Sequence, residues 1–226
     1  MKKWTRVMYQ PNRPLKEGCY VTASKEHIAL SREAAAEGMV LLKNEHKLLP
    51  LKAGSRIALF GKGSFDYVKG GGGSGDVTVS YVHNLYDGFQ MLHDAVSLYE
   101  PLCDFYRANV NEQYDQGSVP GMTTEPALSA GLLAGASAYT DTAVIVLSRF
   151  SGEGWDRSSI EYNGEYNPWE TETSMPKISG EIFPDGDFYL TKEESAMIAQ
   201  VKQHFSRIAV VLNIGGIKIG RASCRE

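Results

Sequence analysis

The chain has 226 residues, 42% of them hydrophobic and 22% charged, with a formal net charge of -4. That length can bury a core, that charge asks for neither nucleic acid nor a membrane surface as partner, and no apolar run approaches the roughly 20 residues of a membrane span. Cys19, Cys103 and Cys224 form no CxxC pair, so neither a disulfide framework nor a metal site is expected, and MKKWTRVMYQPNRP lacks an apolar h-region, so the expected location is cytoplasmic.

Residues 1–24 are polar and aperiodic and read as an extended leader. A helix is expected from the hydroxyl cap of Ser24 through KEHIALSREAAAE to Gly38. MVLLKNE then reads as a short apolar strand, KLLPLKAGS as a turn and RIALFG as a core strand closed by a glycine. A glycine loop and the beta-like DVTVSYV follow, and VHNLYDGFQMLHD looks helical. Residues 100–140 mix helix with the loop GSVPGMTTEP. TAVIVLSR is a second core strand, and the stretch of about 40 residues after it reads as a polar, aromatic loop, very long for a compact domain. Thr191 and Glu194 form a capping box ahead of Met197, Val201 and Phe205, which recur every four residues. RIAVVLNIGG repeats the strand-plus-glycine pattern. Strands alternating with helices predict an α/β fold: a mainly parallel sheet flanked by helices on both faces.

Two loops carry the chemistry. VKGGGGSGDV contains GxGxxG at Gly70, Gly72 and Gly75, but too far past its strand and with no helix behind it for a dinucleotide site. It is either a flexible surface loop or a ligand-facing one, in which Lys69, Gly73, Ser74 and Asp76 offer hydrogen-bonding groups beside backbone that only glycine lets a polyhydroxylated ligand approach closely. The second loop, SGEGWDR, follows the strand TAVIVLSR. Arg149, Glu153, Asp156 and Arg157 there are either a solvated ion-pair cluster or the surroundings of a proton-donating carboxyl at Glu153. In the second case Trp155 would supply an apolar face, Asp156 and Arg157 would pair and set the local field, and Arg149 would be a supporting residue. Both loops leave the carboxyl ends of parallel strands, where open α/β sheets bind ligands.

Taken in order, LSREAAAEGMVLLKNE, KGGGGSGD, SRFSGEGWDR, GDFYLT and VVLNIGG resemble the α/β sandwich domain of glycoside hydrolase family 3 β-glucosidases, over roughly residues 25–217. The resemblance implies a retaining exo-β-glycosidase acting on terminal β-D-glucosyl residues of a β-glucoside or oligosaccharide, without metal or cofactor. It maps the general acid/base onto Glu153 and a serine contact to the sugar onto Ser74. The family's (β/α)8 barrel, which holds the nucleophilic aspartate, has no counterpart here: the Lys-His and Ser-Asp-Trp types of motif are missing. The resemblance is to the subgroup with the sandwich before the barrel, so the barrel is expected downstream and the chain alone is expected to be inactive. Residues 158–186 read as an insertion, whose Tyr162, Tyr166 and Trp169 either form an aglycone platform or pack on their own domain. Residues 218–226 resemble the in-frame translation of a sequencing adapter and read either as a non-native tail on an incomplete frame or as a genuine charged tail. The rival reading is a non-catalytic α/β module that binds a nucleotide or a sugar.

Overall fold

The computed structural model describes residues 15–16, 19–20, 24–69, 81–152 and 174–215, in two units, residues 1–46 and 47–226. In the first unit β1 (Leu15–Lys16) and β2 (Cys19–Tyr20) pair antiparallel, Leu15 opposite Tyr20. Helix α1 (Lys25–Glu37) begins where a side chain can satisfy an orphan amide: Ser24 Oγ accepts from the His27 N–H at 3.3 Å. It ends at Gly38, as the sequence predicts. The strand expected over MVLLKNE is not formed. Residues 39–44 have no regular structure, and Met39, Val40, Leu41 and Leu42 are exposed. An apolar run becomes a strand only when a neighbouring strand pairs with it, and none does so among the described residues.

The second unit is built on β3 (Ser55–Phe60), β4 (Val96–Leu98), β5 (Thr142–Arg149) and β6 (Arg207–Ile214), all parallel in the order β4–β3–β5–β6. Its helices are α2 (Leu85–Gln90), α3 (Glu100–Asp115), α4 (Ala130–Tyr139), α5 (Ser174–Ile182) and α6 (Lys192–His204). The near-continuous apolar character of β5 follows from its place: strands pair with both its edges and both its faces are covered. On one face Ala58, Phe60, Ala143 and Ile145 pack against α3, α4 and α6 through Tyr106, Leu133 and Met197. On the other Ile57, Leu59, Val144 and Val146 meet Leu48 and Leu51 and, from α2, Leu85 and Phe89. Each fully buried aliphatic or aromatic side chain contributes about 1.5–3 kcal/mol relative to exposure.

Three elements differ from the expectation. β4 has only three residues, too few to show a period. α2 is shorter than VHNLYDGFQMLHD: it starts after Asn84, its N-cap, whose side chain and that of Asp87 form a capping box. α5 lies inside the stretch read as loop; its Pro176 is the third helical residue, where a proline costs a helix little. β6 pairs only with β5 among the described residues, and its Val210 and Leu212 are exposed.

Candidate active site

β3 and β5 are adjacent and parallel, so the loops that follow them leave the same end of the sheet. Leaving β3, the chain passes Gly61, at φ 96, so close to β5 that a Cβ there would collide with the Val146 carbonyl oxygen. A 3-10 turn, Lys62–Ser64, follows and carries Lys62 and Asp66 into the interior, where they are 3% and 1% exposed. A third segment, residues 119–125, reaches the same place from the end of α3. Its Val119-Pro120-Gly121-Met122 turn is closed by the Met122 N–H on Val119 O at 2.9 Å, with Gly121 at φ 83. Pro then Gly at the two central positions is the signature of a type II turn.

These segments are joined through charge. Lys62 Nζ lies 3.3 Å from Asp66 Oδ2 and donates to Gly121 O at 3.2 Å. Asp66 also accepts from Gly121 N at 2.5 Å, from Thr123 N at 3.1 Å, from Thr123 Oγ1 at 2.6 Å and from the Tyr114 hydroxyl. Burial pushes the Asp66 carboxyl up, but the Lys62 ammonium and these donors outweigh it and hold the group below its ordinary range. Burial in turn lowers Lys62, against the attraction of Asp66. Beside the pair, Glu125 accepts from the Lys62 N–H at 2.9 Å and from the Tyr106 hydroxyl at 2.7 Å. Burial raises the Glu125 carboxyl to about 7, the two donors pulling the other way.

Arg149 closes β5. Its guanidinium is buried and bidentate on Glu194, Nη1 to Oε1 at 2.8 Å and Nη2 to Oε2 at 2.6 Å. It also donates to the backbone oxygens of Ser148, Asp187 and Tyr189 and lies 4.1 Å over the Phe183 ring. Glu194 additionally accepts from the Thr191 N–H at 2.9 Å, so the capping box seen in the sequence also anchors the end of β5. The neighbouring Ser148 Oγ is buried and has no hydrogen-bond partner among the described residues. Among the described residues, no group of three or more His, Cys, Asp or Glu side chains is placed to hold a metal ion.

Of the residues singled out by sequence, Arg149 and Lys69 are described: Arg149 within the strand and committed to Glu194, Lys69 on the approach to the glycine loop. Gly73, Ser74, Asp76, Glu153, Trp155, Asp156 and Arg157 lie outside the described residues, as do Tyr162, Tyr166, Trp169 and the tail 218–226. Sequence reasoning missed Lys62, Asp66, Gly121, Thr123 and Glu125. The legible signals were a Lys and an Asp four apart directly after a core strand, and the Pro-Gly pair.

Residues 39–221 match the glycosyl hydrolase family 3 C-terminal domain. The chain belongs to this family. β-Glucosidase A of Butyrivibrio fibrisolvens is 52% identical over 218 residues, which are 96% of this chain and 26% of that protein. A Ruminococcus albus β-glucosidase is 30% identical over 198 residues, 85% of this chain and 18% of that one. Among solved structures, a β-glucosidase from Paenibacillus barengoltzii superposes with TM-score 0.68 at 28% identity, covering 86% of this chain and 19% of its own. β-Glucosidase 3B from Thermotoga neapolitana in complex with glucose gives 0.64 at 30% identity, covering 86% and 25%. The chain thus spans about a quarter or less of the length of these family 3 relatives.

Proposed function

We propose that this chain is the acid/base-bearing domain of a retaining exo-β-glucosidase, with Glu153 as the general acid/base. The observation that carries the reading is the adjacency of β3 and β5 in a parallel sheet: the strands that precede KGGGGSGD and SGEGWDR in the sequence are neighbours and run the same way. Ser74, with Lys69, Gly73 and Asp76, would take sugar hydroxyls, Trp155 would pack on an apolar sugar face, and Asp156 and Arg157 would set the field around the acid. The nucleophilic aspartate would come from a barrel domain elsewhere in the whole protein. That aspartate attacks the anomeric carbon while Glu153 protonates the departing glycosidic oxygen. Glu153, now a carboxylate, then takes a proton from the water that releases the glycosyl-enzyme. Two carboxyl groups in a retaining pair stand only about 5–5.5 Å apart, so the two domains must dock closely.

Arg149 contributes as a support. Its bidentate pair with Glu194 ties the end of the strand that leads to Glu153 onto the first turn of α6. The test is leaving-group dependence in the full-length enzyme. A poor leaving group needs its oxygen protonated as the bond breaks, so Glu153→Gln should slow hydrolysis of alkyl glucosides by about 10²–10⁴-fold. Nitrophenyl glucosides, which need little protonation, should lose much less in the first step. Near-normal rates on both would return Glu153 to an ion-pair cluster.

A further inference from the structure

Gly121 lies where three segments converge. Its Cα has no room for a side chain: a Cβ would stand 2.6 Å from Phe150 Cδ1 and 2.6 Å from Val68 Cγ2. Phe150 comes three residues before Glu153, and Val68 two residues before Gly70, where the glycine run begins. The chain segments leading to both proposed site loops therefore rest on one glycine. That glycine is not free to move. Asp66 takes its N–H and Lys62 Nζ its carbonyl, and both clasping side chains are buried. Thr123, wholly buried, binds Asp66 through both its N–H and its hydroxyl, holding the turn from the far side. Two opposite charges under a turn are a costly way to fill a core, because apolar side chains of similar volume pack there without desolvating ions. What the ions supply is direction: they grip one backbone amide and one backbone carbonyl.

We infer that Gly121, gripped by the Lys62–Asp66 pair, is a positioning element that, by seating Val68 and Phe150, sets the spacing between the chain segments that lead to the glycine run and to Glu153. It touches no substrate and acts through those two residues; the inference rests on the reading of Glu153 as the acid/base. A displacement of about 1 Å in a reacting group costs up to about 10²-fold in rate. Pushing Phe150 off its seat is therefore expected to cost activity selectively where proton donation matters.

The experiment uses the full-length enzyme with Gly121→Ala, Phe150→Leu and Glu153→Gln, active sites being counted by a mechanism-based inactivator and folding followed by thermal melting. Phe150→Leu removes the ring contact without adding an atom, so it stands in if Gly121→Ala does not fold. The expected result, per active site, is a loss of about 10-fold or more in kcat on alkyl glucosides, a smaller loss on nitrophenyl glucosides, and a raised KM on both. In the Glu153→Gln background, Gly121→Ala should add no further leaving-group split. Equal losses on both substrates, vanishing once active sites are counted, would mean a purely structural glycine and overturn the inference. If Glu153→Gln shows the leaving-group split and neither Gly121→Ala nor Phe150→Leu does, the positioning role alone fails. If Glu153→Gln shows none, the acid/base reading fails and the inference with it.

Discussion

Glu194→Gln isolates the charge of the buried pair at the end of β5. Glutamine at this position can still complete the capping box with Thr191, so α6 keeps its start. What it cannot supply is a counter-charge for Arg149, whose side chain is only 8% exposed against 4% for Glu194. Leaving one ion of such a pair buried and uncompensated costs about 3–5 kcal/mol. For a domain of this size each kcal/mol moves the melting midpoint by about 2–4 °C, so a fall of about 6–20 °C is expected. Arg149→Met combined with Glu194→Gln removes both charges, keeps the capping box and should recover most of that loss, although the Ser148, Asp187 and Tyr189 carbonyls lose a donor. Urea titration of the wild type, the two singles and the double closes the cycle. A cost below about 1 kcal/mol for Glu194→Gln would show a solvated pair and refute the account of how β5 is anchored.

Glu125 should make stability depend on pH. Its folded carboxyl, raised to about 7 from 4.5, favours the protonated form, so its contribution is full below about 4.5 and lost as pH rises through about 7. Glu125→Gln keeps an acceptor for the Lys62 N–H and cannot ionise, so urea titrations at pH 5 and pH 8 should show it gaining on the wild type at the higher pH; a constant difference would place Glu125 in a wetter site. Gly61→Ala forces a side chain into a φ of 96 against the Val146 carbonyl and should cost at least about 2 kcal/mol in the same assay, with a near-neutral result contradicting the close approach of the post-β3 turn to β5. The purified 226-residue chain should not hydrolyse aryl β-glucosides, and activity abolished by Glu153→Gln would show that no second domain is required.

The sheet was legible because its signal is local and strong. RIALFG, TAVIVLSR and RIAVVLNI are apolar runs bounded by glycine or by a cap, and Ser24 and Thr191 mark helix starts with a single hydroxyl each. MVLLKNE carries the same local signal but finds no partner strand among the described residues, and no local pattern reports pairing. The candidate site divides in the same way. Motifs pointed to two loops, and the strands that precede them, β3 and β5, are parallel neighbours. The Lys62–Asp66–Thr123 cluster stayed hidden because its members lie 57 positions apart between Asp66 and Thr123, and each alone looks like an ordinary surface residue. Arg149 was read among the charges of the loop because Glu194, its counter-ion, is 45 positions away.

The most direct measurement of the account's central claim is the product that Glu153→Gln releases in the full-length enzyme when azide is added during turnover of a nitrophenyl β-glucoside. Without its base the variant should accumulate glycosyl-enzyme, since water is no longer activated for release. Azide needs no deprotonation, so it should restore turnover and leave as β-glucosyl azide, with the anomeric configuration retained. Glucose as the sole product, at a rate that azide does not change, would contradict the assignment of Glu153 as the acid/base.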